Sequence, residues 1–233
     1  MSNIILLFLC LTLGMVLRAS GRVPENAPAA FNAFIINVSL PALTLAQIHN
    51  VQLNPALFYS VAMPWLLFVG GAVFFWCVAK TLKLGPATTG ALILSGGLAN
   101  TSFVGLPMIE TFYGAPRMAI GILIDQLGTY LVLSTLGIAI ASIYSQGATS
   151  VRTIVQRIIT FPPLLALVLA FALMPVSYPT WLVDVLQRLG ATLAPLALLS
   201  VGLQLRLDQV NGNAMPLTIG LAFKLLILSL IHI

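Results

Sequence analysis

Five residues that could bind a small anion stand close together in an otherwise apolar region: Asn100, Thr101, Ser102, Gly105 and Pro107. Proline lacks an N–H and disfavours helix at the preceding residue, and glycine permits backbone conformations that other residues resist. The freed amides, together with three polar side chains, can cap a helix end or hydrogen-bond a ligand. A half-helix beginning near the glycine and the proline would point its positive end at the gap, which favours a carboxylate. The alternative is a proline kink in which the hydroxyls restore the backbone bonds.

The elements that must position this cluster are too short to cross a membrane alone. The apolar runs Ala87–Ala99 and Gly105–Tyr113 flank it, whereas a membrane-spanning helix takes about 20 apolar residues. Backbone leaves the helical form at membrane depth only where it is buried in protein or lines a wet cavity. Transporters place such discontinuous helices at their substrate sites. We therefore predict one broken helix over residues 87–113, with the substrate at the break.

The composition is that of an all-α integral membrane protein. The chain is 60% hydrophobic and 6% charged, whereas a soluble protein carries about 25% charged residues. Its net charge of +5 is scattered rather than gathered on one face, so we expect no nucleic-acid partner. The sequence offers neither a paired nucleophile and base nor a cluster with metal-ligand spacing. We therefore predict no enzymatic activity, no metal and no cofactor.

Basic residues in the loops predict the orientation. Eight apolar stretches follow one another: Asn3–Leu17, Ala27–Ile48, Leu57–Ala79, the broken helix, Met118–Tyr144, Ile154–Met174, Trp181–Leu203 and Pro216–Ile233. Arginine and lysine collect in alternate connections, at positions 18, 22, 80, 83, 152, 157 and 206. Because cytoplasmic loops carry such an excess, we predict a multi-pass protein of the cell (inner) membrane with its N-terminus outside.

A weak internal repeat accompanies this pattern. Pro41 in the second stretch and Pro195 in the seventh lie in similar sequences, 154 positions apart. The first stretch starts outside and the sixth starts inside, so the second copy is inverted, as in many secondary transporters. We predict a first five-helix repeat at 1–144, a short cytoplasmic loop at 145–153 and an incomplete second repeat at 154–233.

The same offset predicts a C-terminal truncation. A counterpart of Pro107 would fall near position 261, beyond the last residue of the sequence. The final run Leu-Ser-Leu-Ile-His-Ile, residues 228–233, also corresponds to the translation of a transposase adaptor used in preparing sequencing libraries. We expect these six residues to be adaptor-derived.

Asp125 and Gln126, early in the fifth stretch, are the other candidate functional residues. An intramembrane carboxylate is costly and by default suggests a function. Asp125 could bind a coupling Na⁺, carry a proton, or pair with a neighbouring helix in a structural role. The sequence leaves these three roles open.

Several of these segments resemble the auxin efflux carrier family, which includes plant auxin exporters and many bacterial carboxylate permeases. Residues 98–109, Leu-Ala-Asn-Thr-Ser-Phe-Val-Gly-Leu-Pro-Met-Ile, look like its fourth helix. The run Ser39–Leu43, Asp125 and residues 193–202 resemble its second, fifth and seventh helices. The short loop between the repeats fits the bacterial malonate- and malate-permease-like members better than the plant members.

The resemblance implies a ten-helix, inverted-repeat transporter fold in which the broken fourth and ninth helices cross, with an organic anion at the crossover. This chain would hold the first five-helix repeat and about three helices of the second. We therefore expect a secondary transporter (permease or efflux carrier) for a carboxylate such as malate, malonate or an indole-acetate-like acid, working by alternating access. An anion channel, or a membrane protein in which the break is only a kink, is the alternative. The expected partners are the anion, the lipid bilayer, H⁺ or Na⁺, and a second copy in a homodimer.

Overall fold

The computed structural model describes residues 2–49, 51, 55–145, 150–205 and 214–227 of the chain. Within these ranges every regular element is helical, so the all-α prediction is confirmed. The first half of the chain forms α1 (Ser2–Ala19), α2 (Ala27–Ile48), α3 (Pro55–Thr81), α4 (Pro86–Gly97) and α5 (residues 101–113).

The second half continues as helices of very different lengths. These are α6 (Ala115–Ser145), α7 (Val151–Ile159), α8 (Pro162–Ala172), α9 (Thr180–Ala191), α10 (Leu193–Gln204) and α11 (residues 214–227). By length and composition, the described residues hold five helices that can cross a membrane, or six if a bent pair counts as one. The fold is that of a multi-pass, all-α membrane protein.

The sixth apolar stretch is not one continuous helix, which corrects the prediction for Ile154–Met174. The chain bends by 53° between α7 and α8. Phe161 is extended, with φ −73° and ψ 113°, and Pro162 and Pro163 follow it. Because proline pushes the preceding residue out of the helical region, the bend falls at Phe161.

Within the described ranges, wide π-helical turns form part of four helices. They cover Ile35–Ser39 in α2, Thr101–Gly105 in α5, Ile124–Tyr130 and Leu133–Gly137 in α6, and Phe223–Ile227 in α11. Such turns are rare and frequently mark functional sites. In α2 and α5 the turn ends two residues before a proline.

The chain divides into two compact units. The first unit comprises Met1–Leu57, Asn100–Gln126 and Ile158–Leu205. Within it α1 and α10 approach each other through glycine: a Cβ added to Gly202 would lie 2.2 Å from the carbonyl oxygen of Leu11. This backbone-to-backbone packing leaves no room for a larger residue at that position.

The second unit comprises Phe58–Ala99, Leu127–Arg157 and Arg206–Ile233. Aromatic and aliphatic side chains of α3, α4, α6 and α11 form its core: Phe68, Phe75, Leu92, Ile93, Val132 and Phe223. Each unit draws segments from both predicted repeats, and the repeat boundaries at 144 and 154 stay a prediction. The proposed adaptor residues 228–233, residues 146–149 of the predicted 145–153 loop and the segment 206–213 lie outside the described residues.

Candidate functional site

The break in the fourth predicted helix lies at Leu98–Asn100. Leu98 is extended, with φ −98° and ψ 142°, and its N–H still donates to the Leu94 carbonyl. Asn100 has φ −86° and ψ 78°, outside the helical region, and α5 begins at the next residue. The predicted interruption is therefore present, between α4 and α5.

Asn100 caps the new helix. Its side-chain Oδ1 accepts a hydrogen bond from the Phe103 N–H at 3.1 Å, and its main-chain carbonyl accepts one from Gly105 N–H at 3.0 Å. An asparagine at this position satisfies amides that have no partner within the helix. The capping role predicted for the polar cluster belongs to this residue.

Gly105 and Pro107 do not form the break: helical backbone already begins at Thr101, ahead of the start predicted near them, and only its α-helical part begins at Leu106. Gly105 has helical dihedral angles, φ −61° and ψ −52°, and Pro107 lies in the first turn of the α-helical segment Leu106–Tyr113. The π-helical turn before them supplies the reason. Its bonds reach back five residues, as from Leu106 N–H to the Thr101 carbonyl, and this wider path accommodates a residue that has no N–H.

Thr101 and Ser102 connect the start of α5 to Asp125. Both hydroxyls donate to the same carboxylate oxygen, Asp125 Oδ1, the Ser102 bond measuring 2.6 Å. Asp125 is only 2% exposed, and no ion pair involves it within the described ranges. One hydrogen-bonded group around the buried carboxylate thus contains Thr101, Ser102 and Asp125. Its hydroxyl donors balance a carboxylate that would otherwise be very costly to bury.

Gln126 is placed differently from its neighbour. Its Nε2 donates to the Thr44 hydroxyl at 2.7 Å, and Thr44 in turn donates to the Leu40 carbonyl. Its Oε1 is buried and has no hydrogen-bond partner in the structure. A buried acceptor without a partner is unusual in native proteins, and it marks Gln126 as a residue with bonding capacity to spare.

The two proline regions of the predicted repeat meet in the first unit. The hydroxyls of Ser39 and Thr192 lie 2.7 Å apart. Ser39 ends the π-helical turn before Pro41, and Thr192 separates α9 from α10 three residues before Pro195. Neither proline lines a cavity that contains Asn100.

Beside the cap lies a cavity of about 390 Å³, lined by Asn32, Asn100, Phe103, Val201, Gln204 and Leu205. We call it the amide cavity, because its three polar side chains are amides and none is charged. All six residues belong to the first unit. Asn100 is the one sequence-predicted site residue in this wall; Thr101, Ser102 and Asp125 form the hydrogen-bonded group behind it.

Hydrogen bonds occupy one end of each of the three amide groups in this wall. Ser200 Oγ donates to Asn32 Oδ1 at 2.6 Å, which leaves the Asn32 NH₂ group as a donor. Asn100 Oδ1 is likewise occupied by the Phe103 N–H. Gln204 instead uses its Nε2, which donates to the Ser200 carbonyl and hydroxyl at 3.1 Å. These bonds leave two amide NH₂ groups and one amide carbonyl among the residues that line the cavity.

Asn32, Ser200 and Gln204 are functional candidates that the sequence reasoning missed. Each is a polar residue inside a long apolar helix, the signal that singled out Asp125. Ser200 and Gln204 are also four residues apart, on one helical face. No group of three or more His, Cys, Asp or Glu side chains suited to a metal occurs among the residues that the structure describes.

Comparison with known proteins agrees with the membrane fold. The whole chain, residues 1–233, matches the family model described as membrane transport protein, which represents the auxin efflux carriers. An uncharacterized transporter of Methanothermobacter thermautotrophicus is 26% identical over 221 residues, covering 92% of this chain and 71% of the relative. An uncharacterized transporter of Methanocaldococcus jannaschii is 24% identical over 213 residues, covering 87% of this chain and 68% of the relative.

Proposed function

Because the chain belongs to the auxin efflux carrier family of membrane transport proteins, we propose that it carries a small organic anion, and that the anion's carboxylate binds in the amide cavity. The observation that carries this proposal is the position of Asn100. The side-chain oxygen of this residue caps α5, and the same residue lines the cavity. Any movement of the helix start therefore changes the site.

The electrostatics of the amide cavity suit an anion. Among the residues that the structure describes, no acidic side chain lines it. The NH₂ groups of Asn32 and Asn100 are donors, and the N-terminal end of α5 carries the positive end of a helix dipole. Neutral donors can bind a carboxylate and still release it, since no full charge has to be separated at each cycle. A dicarboxylate such as malate or malonate, and an indole-acetate-like monocarboxylate, are the substrate classes to test.

Asp125 is the proposed coupling residue. While ionised, it accepts hydrogen bonds from both Thr101 and Ser102. A proton on Asp125, or a cation beside it, removes acceptor capacity and loosens one of these bonds. Since both hydroxyls follow directly on Asn100, coupling to H⁺ or Na⁺ would act on the capped end of α5. We further propose alternating access, with the N-terminus outside the cell membrane and an inverted counterpart of this break as the other arm of the site.

Flux measurements in proteoliposomes test the proposal. The protein, expressed from its native gene, is reconstituted and given a panel of labelled carboxylates with and without ion gradients. We expect saturable uptake of at least one carboxylate, lost in Asn100→Ala. Asn37→Ala is the matched control, because the Asn37 amide donates to the Ala33 carbonyl and lies outside the amide cavity.

The same assay separates the alternatives. Conductance that does not saturate would identify a channel. Saturable flux that is equal in Asn100→Ala and in Asn37→Ala would mean that the break is a structural kink and that the anion binds elsewhere.

A further inference from the structure

A second cavity, in the second unit, lies between α4 and α11. Its volume is about 520 Å³, and we call it the lysine groove. Two stripes of residues form its walls, one from each helix: Ala87, Thr88, Ala91, Leu92, Ser95 and Gly96 from α4, and Pro216, Leu217, Gly220, Leu221 and Lys224 from α11. Lys224 is the one charged residue among them.

The walls of the lysine groove are apolar and follow helical spacing. Each stripe repeats every four residues over two turns, so the groove is about 12 Å long at 1.5 Å per residue. Gly220 faces Leu92 across the groove, where an added Cβ would lie 3.7 Å from Leu92 Cδ2. A medium-length alkyl chain fits a trough of this length and lining.

Lys224 closes one end of the groove and is held there by its neighbour. Phe223 is 5% exposed, and its ring stacks on Phe74 with centroids 4.7 Å apart. With Phe223 anchored against α3, the next residue is directed to α4, where Lys224 Nζ donates to the Leu98 carbonyl at 3.0 Å. That is the carbonyl at which the chain leaves the helix.

The ammonium group has donors to spare. It carries three N–H bonds, and within the part of the chain that the structure describes it makes one hydrogen bond, to Leu98. A carboxylate can therefore bind Lys224 without displacing the Leu98 carbonyl.

Charge complementarity favours an anionic ligand throughout this unit. The described residues of the second unit include five basic residues and no acidic one; the basic residues are Lys80, Lys83, Arg152, Arg157 and Lys224. Among them, only Lys224 lines the groove. A cation that has no acidic partner among the described residues, at the end of an apolar trough, is the arrangement that recognises an amphiphilic anion.

We propose that the lysine groove binds a monocarboxylate with an apolar chain, the carboxylate on Lys224 and the chain along the α4 and α11 stripes. This site is distinct from the amide cavity in residues and in chemistry, and it does not rest on the proposed function. Lys224 binds the Leu98 carbonyl at the end of α4. A carboxylate bound in the groove would contact the same ammonium group, so ligand binding adds a second interaction of Lys224 at this end of α4.

Binding of labelled octanoate to the protein in nanodiscs of uncharged phosphatidylcholine tests the proposal. We expect saturable binding that is weakened at least tenfold in Lys224→Gln and kept within threefold in Lys224→Arg. Lys80→Gln removes an equal charge from the same unit and is the control, expected to leave binding unchanged. Octanamide keeps the alkyl chain but has no charge, and acetate keeps the carboxylate but has no long chain. Both should compete at least tenfold more weakly than unlabelled octanoate.

A second variant tests the groove independently, in case Lys224→Gln does not fold. Ala91 is an exposed groove residue of α4, so Ala91→Phe fills the trough while the Lys224–Leu98 bond remains. Loss of octanoate binding in Ala91→Phe supports the site. Equal competition by octanamide, or unchanged binding in both Lys224→Gln and Ala91→Phe, overturns it. Carboxylate flux in proteoliposomes and octanoate binding in nanodiscs are separate measurements, so failure of the carrier proposal and failure of this one are distinguishable.

Discussion

α2 and α5 each contain a proline within a membrane helix, but only α5 directly follows a break in the helical backbone. In both, a π-helical turn ends two residues before the proline, at Ser39 before Pro41 and at Gly105 before Pro107. α2 remains continuous from Ala27 to Ile48. The chain opens ahead of α5, at Leu98–Asn100.

The difference teaches that proline does not open the helix here. In both helices the wider turn accommodates the missing N–H. What α5 has and α2 lacks is Asn100, an N-cap whose side chain supplies the bonds that the helix start requires. Gly96 and Gly97 end α4, the latter three residues before Asn100, and glycine is a weak helix former. The opening is thus made by a cap, and the residue that makes it also lines the amide cavity.

The largest expected effect comes from Asn100→Asp, which keeps the cap and reverses the chemistry of the cavity. An aspartate caps as well as an asparagine, so the thermal midpoint should stay close to that of the wild type. Flux should fall by about 100-fold, because like charges a few ångströms apart repel by several kcal/mol in a protein. Proteoliposome flux and thermal unfolding on the same preparation check both parts. Near-wild-type flux would mean that Asn100 acts only as a cap and that α2 and α5 differ in structure alone.

Asp125→Asn is expected to have the next largest effect, since it alters a link from α5 to α6 that is made through a carboxylate, whereas α2 is linked to α6 through the neutral Gln126. The amide cannot change its protonation state or balance a cation. Flux driven by a proton or sodium gradient should therefore slow by about tenfold, equivalent to ~1.4 kcal/mol, while exchange without a gradient persists. Asp184→Asn, at an exposed position of α9, is the control. Unchanged gradient dependence in Asp125→Asn would assign Asp125 a structural role.

A pair of serine variants should give smaller, contrasting effects. Ser200→Ala removes the bond that orients Asn32, so the substrate KM should rise about threefold with little change in the maximal rate. This is the result expected when the lost interaction is equally strong in the ground state and in the transition state. Ser39→Ala removes the bond to Thr192 beside Pro41 and should cost about 0.6 kcal/mol of stability, the average for such bonds in membranes, with KM unchanged. KM values and unfolding midpoints of both variants measure the contrast. A KM increase in Ser39→Ala equal to that in Ser200→Ala would contradict it.

The residue types predicted that a break exists, but not where it begins. Asparagine, hydroxyls, glycine and proline within eight positions do not fit an uninterrupted membrane helix, so its existence followed from local chemistry. The cost of a proline inside a helix predicts that the second half-helix begins near Gly105 and Pro107, whereas helical backbone begins at Thr101. The π-helical turn that absorbs this cost is a cooperative backbone adjustment with no residue signature of its own.

The partners of the cluster were harder to predict, because they depend on how distant segments pack. Asp125 and Thr101 were each identified, yet their contact joins residues 24 positions apart. Asn32 and Ser200 are 168 positions apart, and only the packing of α2 against α10 makes them neighbours. Periodicity describes one helix at a time, so it could not bring the three amides to one cavity.

The smallest expected effect belongs to the prolines themselves. If the cap rather than the proline opens the helix, Pro107→Ala and Pro41→Ala should each change flux by less than about threefold, under ~0.7 kcal/mol of barrier. The break should also persist in Pro107→Ala. A cysteine placed at the exposed Ala99, with Cys10 and Cys77 replaced, should then react with a water-soluble maleimide at the same rate with and without the proline. A rate that falls at least tenfold in Pro107→Ala would mean that the helix has closed, and that the proline is what distinguishes α5 from α2 after all.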